Sequence, residues 1–282
     1  HDLLKFSFIP PKEIRELREL SRYRIKLVNM RSSERNRYQN CLTVSNIGLA
    51  SILTDVFGKS SKAIMKEVLS SNVIDDDKII SLLSKKTKSK ASLVLDSLKG
   101  SRIESDQRMK MNISSNHVEE LNQHIQNIEV EMTKRILPYY DQFKGILEIP
   151  GISLVSAIII ISEIGLDMKQ FESDKQLCSW AGLAPANNES ANKKKSVRIS
   201  KAGIYLKPLL VQCALSSIKS SSNPYYRTKY ERIKKRRGHK KAIIAVARMI
   251  LTSIYHIILT GEVFNPSDIN TYTNNKPSKN TL

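Results

Sequence analysis

Residues 154–166 read Leu-Val-Ser-Ala-Ile-Ile-Ile-Ile-Ser-Glu-Ile-Gly-Leu. Apolar side chains fall on nearly every face of the helix that this segment would form, so the helix must be buried all round. Other helices have to surround it, because aromatic residues make up only 6% of the chain, and its 10 glycines and 9 prolines are too few for a β-sandwich. The expected fold is therefore mainly α. With 282 residues the chain is long enough for about two domains.

Upstream of the apolar helix, Ile149-Pro150-Gly151-Ile152 reads as a tight turn between apolar segments. It resembles the hairpin of helix-hairpin-helix modules, where glycine N–H groups meet DNA phosphate. A plain packing turn would explain the same four residues. Glu163 lies near the end of the apolar helix. If buried, it needs a partner, and the basic loop downstream is one source; an exposed helix end is the alternative.

Val118, Leu121, Ile125, Ile128 and Met132 are spaced 3, 4, 3 and 4 apart, the step of a coiled-coil seam. Ile136 continues the seam and Pro138 closes it. It serves either as a contact between subunits of a homo-oligomer or as packing within one chain. Nearer the start, Pro10-Pro11 precede a helix expected from Lys12. Leu17, Leu20, Ile25, Leu27 and Val28 give it an apolar face. Its arginines, including Arg15, Arg18, Arg22 and Arg24, read as a solvated face paired locally with Glu13, Glu16 and Glu19. Residues 41–100 read as short helices. In that region Asp75-Asp76-Asp77 is expected to cap a helix over 78–84 rather than to bind metal.

Charge locates the partner. Formal net charge is +19, and 17 Lys/Arg against two acids between Gly182 and Arg248 supply +15 of it. Such an excess points to a polyanion. Tyr225–Lys241 holds nine cations interleaved with Tyr225, Tyr226 and Tyr230, a pattern suited to backbone and base contacts. A membrane surface is disfavoured, because residues 227–241 supply only Tyr230 and Ile233 as an apolar counterface. The apolar segment Ile243–Leu259 contains Arg248 and His256 and reads as a buried helix. Three scattered cysteines and five histidines form no disulfide or metal pattern. A reducing, cytoplasmic location is expected.

Functional chemistry is expected in Ser179–Lys207, SWAGLAPANNESANKKKSVRISKAGIYLK. An apolar turn at Trp180-Ala181-Gly182-Leu183 precedes a polar loop carrying Ser190, Ser196 and Ser200 among Lys193, Lys194, Lys195, Arg198 and Lys201. Gly203 then leads into a new helix. Serine among fixed cations suits chemistry on phosphate: the hydroxyl attacks and the cations stabilise charge on the phosphoryl oxygens. A solvated basic loop is the plain alternative.

The series Leu147-Glu-Ile-Pro-Gly-Ile, Ser162-Glu-Ile-Gly, Phe171, Ser179-Trp-Ala-Gly-Leu-Ala-Pro, Glu189-Ser-Ala-Asn-Lys, Ser200-Lys-Ala-Gly, Leu206-Lys and Arg237-Gly-His-Lys-Lys-Ala resembles the C-terminal domain of the insertion-sequence 110/116/902 transposases. Ser7–Arg24 resembles the linker that follows that family's first domain. The resemblance implies a DNA recombinase whose serine attacks a phosphodiester, guided by a noncoding bridge RNA that pairs with donor and target DNA. It places the nucleophile on Ser190. The nucleic-acid contacts expected are Gly151, Lys193, Lys194, Lys195, Arg198, Lys201, Lys207, Arg227, Lys234, Lys235, Arg236, Arg237, Lys240 and Lys241. Asn192 stands where the family usually has Gly, and Lys207 where it usually has Arg.

The family's N-terminal ribonuclease-H-like domain, with four acidic metal ligands, has no counterpart in these residues. The expectation is therefore a truncated enzyme, with no metal site of its own and Mg²⁺ in the full-length protein. The organisation expected is a linker over 1–40, a helical and coiled-coil region over 41–144, a transposase domain over 145–265 and a polar tail over 266–282. The alternatives are a nucleic-acid-binding remnant without catalysis, or an assembly module built on the coiled coil. Salt-dependent nucleic-acid binding separates the assembly module from the other two.

Overall fold

The computed structural model describes residues 9–71, 73–185, 199–266 and 268, and the backbone alone of 189–190 and 193–194. Twelve α-helices are described: α1 (Lys12–Val44), α2 (Leu49–Ile52), α3 (Lys59–Ser70), α4 (Asp76–Ser81), α5 (Ala91–Lys99), α6 (Ser105–Ile136), α7 (Tyr140–Phe143), α8 (Leu154–Ile164), α9 (Asp174–Trp180), α10 (Leu206–Ser217), α11 (Tyr225–Arg237) and α12 (His239–Thr260). Between α9 and α10 lie two short antiparallel strands, β1 (Glu189–Ser190) and β2 (Lys193–Lys194). The protein is mainly α, as the sequence implies. It divides into two compact units, residues 24–128 and residues 1–23 with 129–282.

The unit over 24–128 is built on the later part of α1 and the earlier part of α6. Leu27 of α1 clusters with Leu121 and Ile125 of α6, and Val28 and Ile128 pack beside them. Further along, Arg31 donates to Asn122 at 2.9 Å and His117 lies 3.3 Å from Glu34. Rising numbers on one helix meet falling numbers on the other, so the two run antiparallel. The 3-4 seam is therefore packing within the chain: Val118, Leu121 and Ile125 are buried there.

The short helices close a second core in this unit around Leu42, Leu49, Ile64, Met65, Ile79, Val94, Leu98 and Met111. Asp75 caps α4, its side chain accepting from the Lys78 N–H at 3.1 Å. Arg108 donates to the carbonyls of Val68 and Leu69 at 3.1 and 2.5 Å, closing the C-terminal end of α3 where carbonyls lack helical partners.

In the other unit α8 is the central helix expected from its composition: Ala157 through Ile164 are all buried. Ser153 caps its start and Gly165 its end, the latter at φ +75°. α12 packs against α9, α10 and α11, burying Val246, Ala247, Ile250, Leu251 and Ile254. Among the described residues it is the one helix long and apolar enough to cross a membrane. Its apolar side is instead taken up by these neighbours, as the arginine and histidine within it suggest.

The arginines of α1 depart from the expected local pairing. Arg22 reaches Glu163 of α8, with Nε to Oε1 at 2.8 Å and a second bond to Oε2 at 2.9 Å. Arg18 donates to the carbonyls of Ser162 and Glu163 at 2.7 and 3.1 Å, placing a cation at the negative end of α8. Glu16 pairs with Arg135 of α6 at 2.7 Å. Lys12–Glu16, at 3.8 Å, is a remaining local pair.

Candidate nucleic-acid interface and serine loop

The serine loop leaves the fold through a closed neck. Gly182 has φ +69° and Gly203 φ +67°. A Cβ on Gly182 would sit 2.6 Å from the Ala202 carbonyl oxygen, and one on Gly203 2.3 Å from that of Ala181. Backbone thus lies directly on backbone, which only glycine permits. Beyond this contact, Pro185 and Ile199 form an antiparallel bridge. Lys207 Nζ donates to the Ser200 carbonyl at 2.5 Å, tying α10 to the segment that follows Ile199. Its ammonium is thus engaged in the neck.

Past the bridge, β1 and β2 pair Glu189 with Lys194 and Ser190 with Lys193. The backbone of Ser190 therefore lies opposite that of Lys193, with residues 191–192 between them in sequence. The side chains of Ser190, Lys193 and Lys194, and all of Lys195, Ser196 and Arg198, lie outside the described residues. Lys201 is exposed beside the neck.

The basic segment separates into two sets. Arg227 donates to the carbonyls of Ile218 and Ser220 at 2.8 and 3.2 Å, holding the end of α10. Lys229 is buried and bonded to Asp268, whose other oxygen accepts from Tyr225 at 2.8 Å. The tyrosines expected to meet bases are core residues instead. Tyr225, Tyr226 and Tyr230 are buried, with Tyr226 stacked on Phe264 at 5.8 Å and 3.3 Å from Ser253. Burial raises the Tyr226 hydroxyl well above its ordinary pKa. Their spacing at i, i+1 and i+5 fits one buried face of α11, a signal present in the sequence.

The second set faces solvent: Lys234, Lys235, Arg236, Arg237, Lys240 and Lys241. Gly238, at φ +79°, turns α11 into α12 between them. Cations in the last turn of α11 suit its dipole. Lys240 and Lys241 do not suit theirs: they occupy the first turn of α12, which carries no acid, where a positive charge is disfavoured. An anion such as phosphate would be favoured at the same place. The anti-dipole pair is the clearest local sign of an anionic partner.

Gly151, at φ +87°, is explained by packing. A Cβ there would lie 2.5 Å from the Ser217 nitrogen and 2.6 Å from the Cys213 carbonyl oxygen. The end of α10 already occupies the space beside this turn, so the glycine does not require a phosphate contact. Glu163 is tied to α1 by Arg22, not to the basic loop. Sequence reading missed this pairing because the partners are 141 residues apart. Among the described residues no group of three His, Cys, Asp or Glu side chains could hold a metal.

Residues 144–231 match the sequence model of the Transposase IS116/IS110/IS902 family. The matched stretch runs through α8, α9 and α10 into α11 and so includes both glycines of the neck. The chain is similar to the transposase for insertion sequence element IS1111A of Coxiella burnetii, at 26% identity over 162 residues, covering 56% of this chain and 44% of that protein. It is also similar to the putative transposase y4qE of Sinorhizobium fredii, at 37% identity over 65 residues, covering 23% and 16%. The matches thus span less than half the length of these curated relatives.

Proposed function

We propose that this chain is the serine-bearing part of a DNA transposase that cuts and rejoins DNA through Ser190, guided by a bridge RNA. The observation that supports the reading is that the backbone of Ser190 pairs with that of Lys193 in the segment whose two ends meet at the glycine contacts and the Pro185–Ile199 bridge. In the proposed step the Ser190 Oγ attacks a DNA phosphorus. A phosphoserine bond forms, the phosphorus–oxygen bond to the adjoining nucleotide breaks, and the released oxygen takes a proton while the serine proton passes to a base. Rejoining reverses these changes with a different strand, so the bond's energy is retained. Lysines along the hairpin would stabilise the additional negative charge on the phosphate. The exposed junction of α11 and α12 would hold the DNA or RNA backbone.

The full reaction is proposed for a protein that also includes the acidic N-terminal domain. The test joins that domain to this chain and supplies donor DNA, target DNA and bridge RNA. Ser190→Ala is expected to abolish both recombination and the covalent protein–DNA adduct, whereas Ser196→Ala retains them. Full recombination by Ser190→Ala, or an adduct mapped to another residue, would overturn the assignment. Recombination unchanged without the RNA would overturn the guided step.

A further inference from the structure

Trp180, the only tryptophan of the chain, is 47% exposed although it ends a helix whose neighbours Leu177 and Cys178 are buried. It lines a cavity of about 380 Å³ with Phe171, Gln170, Gln176, Arg18 and Glu163. The Phe171 and Trp180 rings lie 5.7 Å apart at 59°, so they make a corner rather than a closed stack. Gln176 accepts from the Glu172 N–H through its Oε1 at 2.6 Å, which leaves its amide nitrogen as a donor. Glu163 is only 6% exposed. Each of its oxygens accepts one bond from Arg22, so each keeps a further acceptor position.

We propose that this cavity binds one unpaired nucleobase, stacked on Trp180, at the foot of the serine loop. The inference rests on the nucleic-acid reading above and adds to it a base pocket separate from the cationic junction. The lining suits a flat, neutral, polar-edged ring. Phosphate is disfavoured, since the Glu163 carboxylate is present and the Arg18 guanidinium already donates to two carbonyls. The acceptors on Glu163 favour a base with an exocyclic amine, as carboxylates accept from cytosine N4. Trp180 immediately precedes Ala181 and Gly182 of the neck, so a base held there fixes the strand beside the hairpin.

The single tryptophan makes the test direct. The full chain is titrated with short single-stranded oligo-dC and with an abasic strand of equal length, following both anisotropy and tryptophan fluorescence. Oligo-dC is expected to quench Trp180 and to bind about tenfold more tightly than the abasic strand, the scale of one base stacked on an aromatic ring. Trp180→Ala should remove that preference and Trp180→Phe should restore much of it. If oligo-dC binds by anisotropy without quenching, or Trp180→Ala keeps the preference, the pocket is overturned while nucleic-acid binding stands. If neither strand binds at low salt, the nucleic-acid reading fails and the pocket with it.

Discussion

A Cβ on Gly203 would lie 2.3 Å from the carbonyl oxygen of Ala181. With the reciprocal approach of Gly182 to the Ala202 carbonyl, this contact closes the neck at the base of the serine loop. The two segments it joins, Ala181-Gly182 and Ala202-Gly203, are separated in sequence by the whole loop. Gly203 also has φ +67°, so it is constrained by conformation and by space together.

Gly203→Ala is therefore expected to cost about 2–4 kcal/mol, combining left-handed strain with overpacking. Thermal unfolding followed by circular dichroism would report it as a lowered midpoint. Gly238→Ala is the control. Gly238 has a similar φ of +79° but nothing within 4 Å of the added carbon. Its cost should be the strain alone, about 1–3 kcal/mol. Equal losses at the two positions would mean that the close approach at the neck contributes nothing.

The Arg22–Glu163 pair makes a directional prediction. Bonding to Glu163 raises the Arg22 pKa despite partial burial, so the guanidinium stays charged. Arg22→Ala leaves a buried carboxylate without its partner and should destabilise by about 2 kcal/mol, a value kept low because Arg22 is partly exposed. Glu163→Gln keeps a hydrogen-bonding group of the same shape and should cost less. In the double mutant the loss should be smaller than the sum of the single losses. Additive losses measured in urea would show that the two side chains act independently.

This pair also marks where sequence reading stops. The start of α1 at Lys12, the cap at Asp75 and the burial of α8 follow from local spacing, so they could be read directly. The partner of Glu163 could not, because helical spacing reveals only neighbours three or four residues away, and Arg22 is brought in by tertiary packing. The tyrosines of α11 are a different case. Tyr225, Tyr226 and Tyr230 share a stripe with the buried Lys229, and weighing that periodicity above the cation count would have assigned them to the core. At the site, the basic junction was legible as composition, and the two glycines of the neck only as flexible points. Their close approach arises from tertiary folding, which brings together segments twenty residues apart in the chain, and no local pattern encodes it.

Leu121 and Ile125 test the seam. Both are buried against Leu27, so Leu121→Ala should cost about 2–5 kcal/mol, in the range for large-to-small changes in a core. Because the partner helix belongs to the same chain, the mass in solution should not change while the variant remains folded. Light scattering that shows a folded variant of lower mass would restore the seam as a subunit contact.

Cys213 gives a pH signature. Burial pushes its thiol up to about 11, and burial likewise raises Cys178 and Cys41. An unfolded cysteine ionises near about 8.5. The unfolded chain therefore loses the Cys213 proton first, and stability falls as pH rises from about 8.5 toward 11. The contribution is fully present below that window. Cys213→Ser should flatten this part of the stability profile, and an unchanged slope would remove Cys213 as its source. At about pH 8, below the ordinary thiol range, all three should resist alkylation until the chain is unfolded.

The cations of the basic segment should behave as two classes. Arg227 and Lys229 hold carbonyls and Asp268; replacing them should lower stability first. Lys234, Lys235, Arg236, Arg237, Lys240 and Lys241 face solvent, and neutralising them should leave the melting midpoint nearly unchanged. For every phosphate that a cation no longer neutralises, the slope of log affinity against log salt should shrink by about 0.7–0.9, the lower figure for single strands. Lys240→Gln with Lys241→Gln is the most informative pair. The two lysines oppose the dipole of α12, so removing them should hold or slightly raise stability while weakening binding. A pair of variants that melt lower and bind with the wild-type slope would show that these lysines support the helix and do not meet an anion.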